Sequence, residues 1–91
     1  MEITVEFYGI ARQRAGVSYT KLAFDRDPLL LGDALAALSD RWPALREECI
    51  AGRELRPTLS ANLAGERFVR DPATPLHDGD CLLLLSADAG G

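Results

Sequence analysis

Only one segment of this 91-residue chain shows a sustained helical repeat, and that segment is short. Leu31, Leu35, Leu38 and Trp42 recur at the spacing of one helix face, and Pro43 ends the segment. Most of the remaining sequence has the patterns of strands and turns. Since one helix covers only one face of a sheet, these patterns predict a two-layer α+β roll. In it, a sheet of four or five strands curls around one main helix.

Strand patterns lie on both sides of this helix. The first is a half-buried strand over residues 2–8, where apolar and polar residues alternate with period two. A short helical turn at residues 10–15, closed by Gly16, leads to a second strand over residues 17–24. The short connection predicts that these two strands pair in antiparallel fashion.

Shorter elements are predicted after the helix. Residues 44–50 continue as one or two helical turns ended by Gly52. Residues 55–63 form a weaker strand, and Pro57 near its start is typical of an edge strand or of the beginning of a strand. The remaining predicted strands cover residues 67–69 and 81–85. The first and last strands are both apolar, so we expect them to be central in the sheet.

Four consecutive leucines fill the last strand. Side chains alternate across a strand, so Leu82 and Leu84 face one side of the sheet and Leu83 and Leu85 the other. Only one pair can contact the helix; the other is covered by a loop, tolerated as exposed, or docks another protein. The candidate partner-binding residues are therefore Phe7, the adjoining Tyr8, Leu82, Leu83, Leu84 and Leu85.

Composition narrows the possible functions. A net charge of -4 argues against nucleic-acid binding and suits a partner with a basic surface. The chain has neither an apolar run long enough to span a membrane nor a secretory signal, so we expect a cytoplasmic protein. Cys49 and Cys81 are expected to be reduced thiols, and no metal site or bound cofactor is predicted.

The last residues suggest a chemical role. Residues 1–85 form the predicted domain, and residues 86–91 a flexible tail that ends in Gly90 and Gly91. A Gly-Gly end can pass through a channel that rejects side chains, and its reactive group is the terminal carboxylate. ATP can convert that carboxylate into an acyl-adenylate. A lysine amine then gives an isopeptide, whereas a sulfur nucleophile gives a thiocarboxylate. The chain lacks a phosphate-binding loop motif, so a separate activating enzyme would use the ATP.

Several segments resemble the ubiquitin-like sulfur carrier family. FYGIARQRAG at residues 7–16 is similar to the segment in which the family's chain leaves its first strand, and LGDALAALSDRWPAL at residues 31–45 is similar to the family's main helix. TPLHDGDCLLLL at residues 74–85 is similar to its turn into the last strand, and Gly90-Gly91 to its end. Within the family, the first two segments are closest to small subunits of molybdopterin synthase and less similar to the thiamine-pathway carrier. Leu30 stands where a capping threonine is common in the family.

The resemblance implies a β-grasp fold and a carrier that has no active site of its own. It implies that Gly91 is adenylylated by an enzyme resembling ubiquitin activators and then thiocarboxylated. Gly90, which has no side chain, lets the tail pass through a narrow channel and adopt backbone angles that other residues do not. The implied partners are that adenylyltransferase, a sulfur donor such as a cysteine desulfurase or rhodanese, and the large subunit of molybdopterin synthase, with which a heterotetramer can form. That branch would place the protein in molybdenum cofactor biosynthesis.

Other functions share the same tail. The carrier could serve thiamine, cysteine or tRNA thiolation pathways, and a ubiquitin-like modifier would be conjugated to lysines. A plain interaction domain with incidental glycines is the third alternative. The sequence alone leaves these open.

Overall fold

The computed structural model describes residues 1–87, in which short elements surround one longer helix. The strands are β1 (Glu2–Phe7), β2 (Tyr19–Ala23), β3 (Leu29–Leu30), β4 (Ile50–Ala51), β5 (Glu54–Leu55), β6 (Leu59–Leu63), β7 (Arg67–Val69), β8 (Pro75–Leu76) and β9 (Cys81–Ser86). The helices are α1 (Gly9–Ala15), α2 (Leu31–Arg41) and α3 (Leu45–Glu48). The predicted two-layer arrangement, with α2 as its main helix, is confirmed.

Five of the strands form one mixed sheet in the order β2-β1-β9-β6-β7. β1 runs parallel to β9 and antiparallel to β2, while β6 is antiparallel to both β9 and β7. β9 is therefore the central strand and β1 lies beside it, which confirms the expectation for the first and last strands. The hairpin predicted from the short connection is confirmed as well, with α1 inside that connection.

The core lies between one face of this sheet and the apolar stripe of α2. Leu31, Leu35 and Leu38 are fully buried, as the helical repeat predicts. Trp42 caps the same stripe, and its ring meets Phe7 edge to face at a centroid distance of 5.5 Å. The sheet contributes Ile3, Val5, Phe7, Leu59, Ala61, Leu82 and Leu84, each at most 1% exposed.

The start of α2 is stabilised without a side-chain cap. Leu30 precedes the helix and cannot accept a hydrogen bond through its side chain. The backbone N–H groups of Leu31 and Gly32 instead donate to carbonyl oxygens of Thr74 and Pro72, at 2.8 and 2.9 Å. The loop before β8 therefore satisfies two of the first N–H groups of the helix, and one of them, that of Gly32, is within the reach of a threonine cap in other proteins.

The structure corrects one sequence-based helix boundary and decides between the two explanations for Pro57. The helix α3 ends at Glu48, and Gly52 does not end it: Gly52, with φ +63°, lies in the tight turn that joins β4 to β5. Of the two explanations for Pro57, the edge strand is excluded, since β6 pairs with β9 on one side and β7 on the other, and the beginning of a strand agrees with the structure. Pro57 lies in the turn before β6, so its missing N–H leaves the strand pairing intact.

Among residues 1–87, no helix has the length and apolar character needed to cross a bilayer. In the same residues, no three histidine, cysteine or acidic side chains are grouped closely enough to hold a metal ion.

Neighbouring leucines of β9 provide a matched test of this packing. Leu84→Ala should lower the free energy of unfolding by about 2–5 kcal/mol, because it leaves a cavity in a sealed core. Leu83→Ala removes the same atoms from the opposite, partly solvated face and should cost clearly less. Urea unfolding measures both values, and equal losses would contradict this arrangement.

Candidate functional site

The leucine run divides between the two faces of β9. Leu82 and Leu84 are fully buried under the helices, and so is Phe7 on β1. The prediction that these three residues bind a partner is wrong for the folded chain, because they present no surface. Leu83 and Leu85 are only partly buried and lie on the sheet face that α2 does not cover. Their role in docking remains a prediction.

We define the open face as the sheet surface formed by Glu6, Tyr19, Leu83, Asn62 and Phe68. These residues form one continuous row across all five strands, because each is in register with the next. Tyr19 and Phe68, at the ends of the row, are 59% and 58% exposed. Large exposed aromatic side chains beside an apolar strand are typical of a protein-binding surface.

Glu6 carries the negative charge near the middle of the open face. Its carboxylate accepts a hydrogen bond from the Tyr8 hydroxyl on one oxygen and from the Cys81 thiol on the other, the latter at 3.1 Å. The Tyr8 hydrogen bond, followed by that of Cys81, lowers the pKa of Glu6. Glu6 is thus an ionised group held in one orientation.

The thiols are poor nucleophiles in this environment. Burial, together with the hydrogen bond to Glu6, raises the pKa of Cys81 to about 11. Burial likewise raises the pKa of Cys49, which lies in the core. Thiolate is the reactive form of cysteine, so neither side chain is suited to carry or donate sulfur near neutral pH.

Contacts at the end of β9 fix where the chain leaves the sheet. The N–H of Ile10, in the first turn of α1, donates to the Ser86 hydroxyl at 3.1 Å. One residue later, the N–H of Ala87 donates to the Thr58 carbonyl at 3.0 Å. Gly9 has φ +55°, and a Cβ at that position would overlap the Ser86 hydroxyl. We call Gly9, Ile10, Thr58 and Ser86 the exit collar.

The sequence-predicted reactive residues, Gly90 and Gly91, lie outside the described residues, so their role stays a prediction. β9 reaches Ser86, one residue beyond the strand expected from the sequence. The strand that leads to the tail is thus held at its final residue by the exit collar.

Sequence reasoning missed the polar and aromatic part of the open face. Glu6 lies on the side of the first strand that faces away from the core, and Tyr19 and Phe68 lie on the same side of β2 and β7. The alternation identifies these positions as outward-facing. It cannot show that they share one surface, because that depends on the strand order and register.

Comparisons with known proteins agree on the fold. No protein-family model matches the chain, and no curated protein matches it significantly. SAMP1 from Haloferax volcanii superposes with a TM-score of 0.80 at 25% identity, over 100% of both chains. Small archaeal modifier protein 1 from Methanosarcina acetivorans gives 0.73 at 24% identity, over 99% of this chain and 96% of that one.

A third solved structure has the same fold. A putative molybdopterin converting factor, subunit 1, from Pyrococcus furiosus gives a TM-score of 0.76 at 20% identity, over 93% of this chain and 95% of that one. These whole-chain superpositions confirm the ubiquitin-like β-grasp fold, and in its fold the chain resembles ubiquitin-like sulfur carriers and modifiers. The chain is similar to small carrier and modifier proteins.

The exit collar is tested by two glycine substitutions. Gly65→Ala should cost about 1–2 kcal/mol, since Gly65 has φ +74° but open space around a new Cβ. Gly9→Ala should cost more, because its Cβ must also displace the Ser86 hydroxyl. Urea unfolding gives both values. Adding Ser86→Ala should recover part of the Gly9→Ala loss, and strictly additive costs would contradict the proposed overlap.

The thiol environment predicts an unusual pH dependence of alkylation. With a pKa of about 11, Cys81 gains thiolate roughly tenfold per pH unit between pH 9 and 10, whereas an ordinary thiol approaches saturation there. Iodoacetamide labelling, followed peptide by peptide, should show this rise for Cys81 and little labelling of buried Cys49 in the folded protein. A plateau of the Cys81 rate near pH 9 would contradict the assignment.

Proposed function

We propose that this protein is a ubiquitin-like sulfur carrier whose terminal glycine is adenylylated and then thiocarboxylated. The observation that carries the proposal is the course of β9: the central strand of the sheet runs directly into the segment ending in Gly90-Gly91, and the exit collar fixes its point of departure. The proposal requires Gly91 to carry the free carboxylate of the mature protein.

In the first step, a carboxylate oxygen of Gly91 attacks the α-phosphorus of ATP and pyrophosphate leaves. A separate adenylyltransferase resembling ubiquitin activators performs this step. In the second step, a persulfide sulfur from a cysteine desulfurase or rhodanese attacks the acyl carbon, and AMP leaves. A thiol then attacks the donor enzyme's cysteine sulfur, a disulfide forms between these two sulfur atoms, and the thiocarboxylate remains on Gly91. On its own, the chain is a co-substrate in these steps.

The chain's own residues present the tail and dock the partner. Side-chain-free Gly90 and Gly91 fit a narrow catalytic channel. The open face supplies a broad contact surface, in which Asn62 lies between Leu83 and the exposed Phe68, and Leu85 lies on the same side of β9 as Leu83. Because the tail departs from the same strand that carries these leucines, a partner docked on the open face is well placed to receive it.

Within this class we favour the small subunit of molybdopterin synthase, acting in molybdenum cofactor biosynthesis. The similarity of residues 7–16 and 31–45 to that branch supports it, as does the shared fold of the Pyrococcus furiosus protein. In this assignment a large subunit receives the tail, and the thiocarboxylate sulfur is transferred to a pterin precursor. The protein would act in the cytoplasm.

A lysine-conjugated modifier is the second candidate function. The whole-chain similarity to SAMP1 from Haloferax volcanii favours it, since that protein is a small archaeal modifier. Both functions share the adenylylation step and differ in the nucleophile that follows. Isopeptide-linked ladders in the protein's native cells would mark the modifier.

Reversible adenylylation can be measured as exchange of radioactive pyrophosphate into ATP. Adding the full chain to an extract of its native cells should stimulate this exchange, since acyl-adenylate formation is reversible. Deleting Gly91 should abolish the stimulation, because the reacting carboxylate is displaced. One alanine added after Gly91 should have the same effect.

Glu54→Gln serves as the control, because it changes an exposed side chain of the β4–β5 hairpin. It should stimulate exchange as the unmodified chain does, and all variants should unfold at the same urea concentration. Equal stimulation by the Gly91 deletion would contradict the proposal.

A further inference from the structure

A cleft of about 380 Å³ opens between the edge strand β2 and the start of α1. It adjoins the open face and is distinct from the exit collar. Its lining residues are Thr4, Glu6, Phe7, Tyr8, Arg12, Ser18 and Tyr19. The sequence analysis assigns no function to this group as a whole.

The acidic group of this cleft lacks a cationic partner. In the part of the chain that the structure describes, no lysine, arginine or histidine nitrogen lies within 4 Å of the Glu6 carboxylate. Its hydrogen bonds come from two neutral donors, Tyr8 and Cys81, which orient the group and leave its charge uncompensated. An oriented carboxylate with unused acceptor positions is suited to receive a cation.

Aromatic rings flank that carboxylate. Tyr19 lies directly across from Glu6 in the β1–β2 register, and Tyr8 reaches Glu6 through its hydroxyl. The two tyrosines are 59% and 43% exposed, so parts of both side chains are accessible from the cleft. A cation over a tyrosine ring is attracted by its electron-rich face, and a planar guanidinium can also stack on it.

We infer that this cleft binds an arginine side chain presented by a protein that docks on the open face. This inference deepens the proposed function, since it names the chemistry of the docking partner. The guanidinium pairs with Glu6 and lies against Tyr8 and Tyr19. Leu83, in register with Glu6 on the other side, contacts apolar side chains around that arginine. The net charge of -4 favours such a partner.

The cleft also contains a positive charge, that of Arg12. It lines the same cleft from α1 and carries the same charge as the expected ligand. Like charges at short range oppose binding, so neutralising Arg12 should strengthen cation binding in the cleft. A purely apolar docking site would not respond in this way.

The test is a nuclear magnetic resonance titration of the full-length chain with N-acetylarginine amide. Shift changes should concentrate at Glu6, Tyr8 and Tyr19, and the citrulline analogue, which has nearly the same shape but no charge, should not produce them. Glu6→Gln should weaken the apparent affinity by about fivefold. Tyr19→Leu should also weaken it, while Arg12→Gln should strengthen it.

Glu54→Gln is the matched control, because it removes one negative charge on the remote β4–β5 hairpin. It should leave the titration unchanged, and the spectrum of each variant shows whether it is folded. Scattered shifts, equal shifts with citrulline, or an unchanged affinity in Glu6→Gln would overturn the inference. The titration involves no activation of Gly91, so failure of the proposed function would appear in pyrophosphate exchange and not here.

Discussion

The parallel pairing of β1 with β9 is the interaction on which the other features depend. It joins the beginning of the described chain to its end and places both strands at the middle of the sheet. Because the two strands run in the same direction, the start of α1 and the departure of the tail lie at the same end of the sheet. The hydrogen bond between Ile10 and Ser86 follows from this geometry.

The alternating side chains of β9 give the strand two separate tasks. Leu82 and Leu84 complete the core against α2, whereas Leu83 and Leu85 belong to the opposite surface. One strand thus supports the fold, contributes to a surface available to partners and leads to the C-terminal segment.

Much of the fold could be predicted from local sequence patterns. The alternation in β1, the repeat in α2 and the apolar run in β9 are confirmed, because each depends on a periodicity visible within one segment. The start of α2 could not be predicted in this way. Its donors are satisfied by carbonyl oxygens of Pro72 and Thr74, which lie 40 and 43 residues away from them in sequence.

The candidate surface was less predictable than the fold. The sequence pointed to the leucines and Phe7 as a group, but a strand with two faces cannot use all of them for docking, and Phe7 is buried. Glu6, Tyr19 and Phe68 become one surface only through the order and register of five strands. The whole-chain similarity to SAMP1 from Haloferax volcanii came from structure, since no family model matches the sequence.

The central claim is that the protein's terminal carboxyl group carries sulfur. Intact and tandem mass spectrometry of the protein purified from its own cells tests this claim most directly. We expect a population that ends at Gly91 and is heavier by about 16 Da, with the added mass on the last residue, as sulfur replaces one oxygen. A mature chain that continues past Gly91, or that ends there only as an unmodified carboxylate while the pathway is active, would contradict the account.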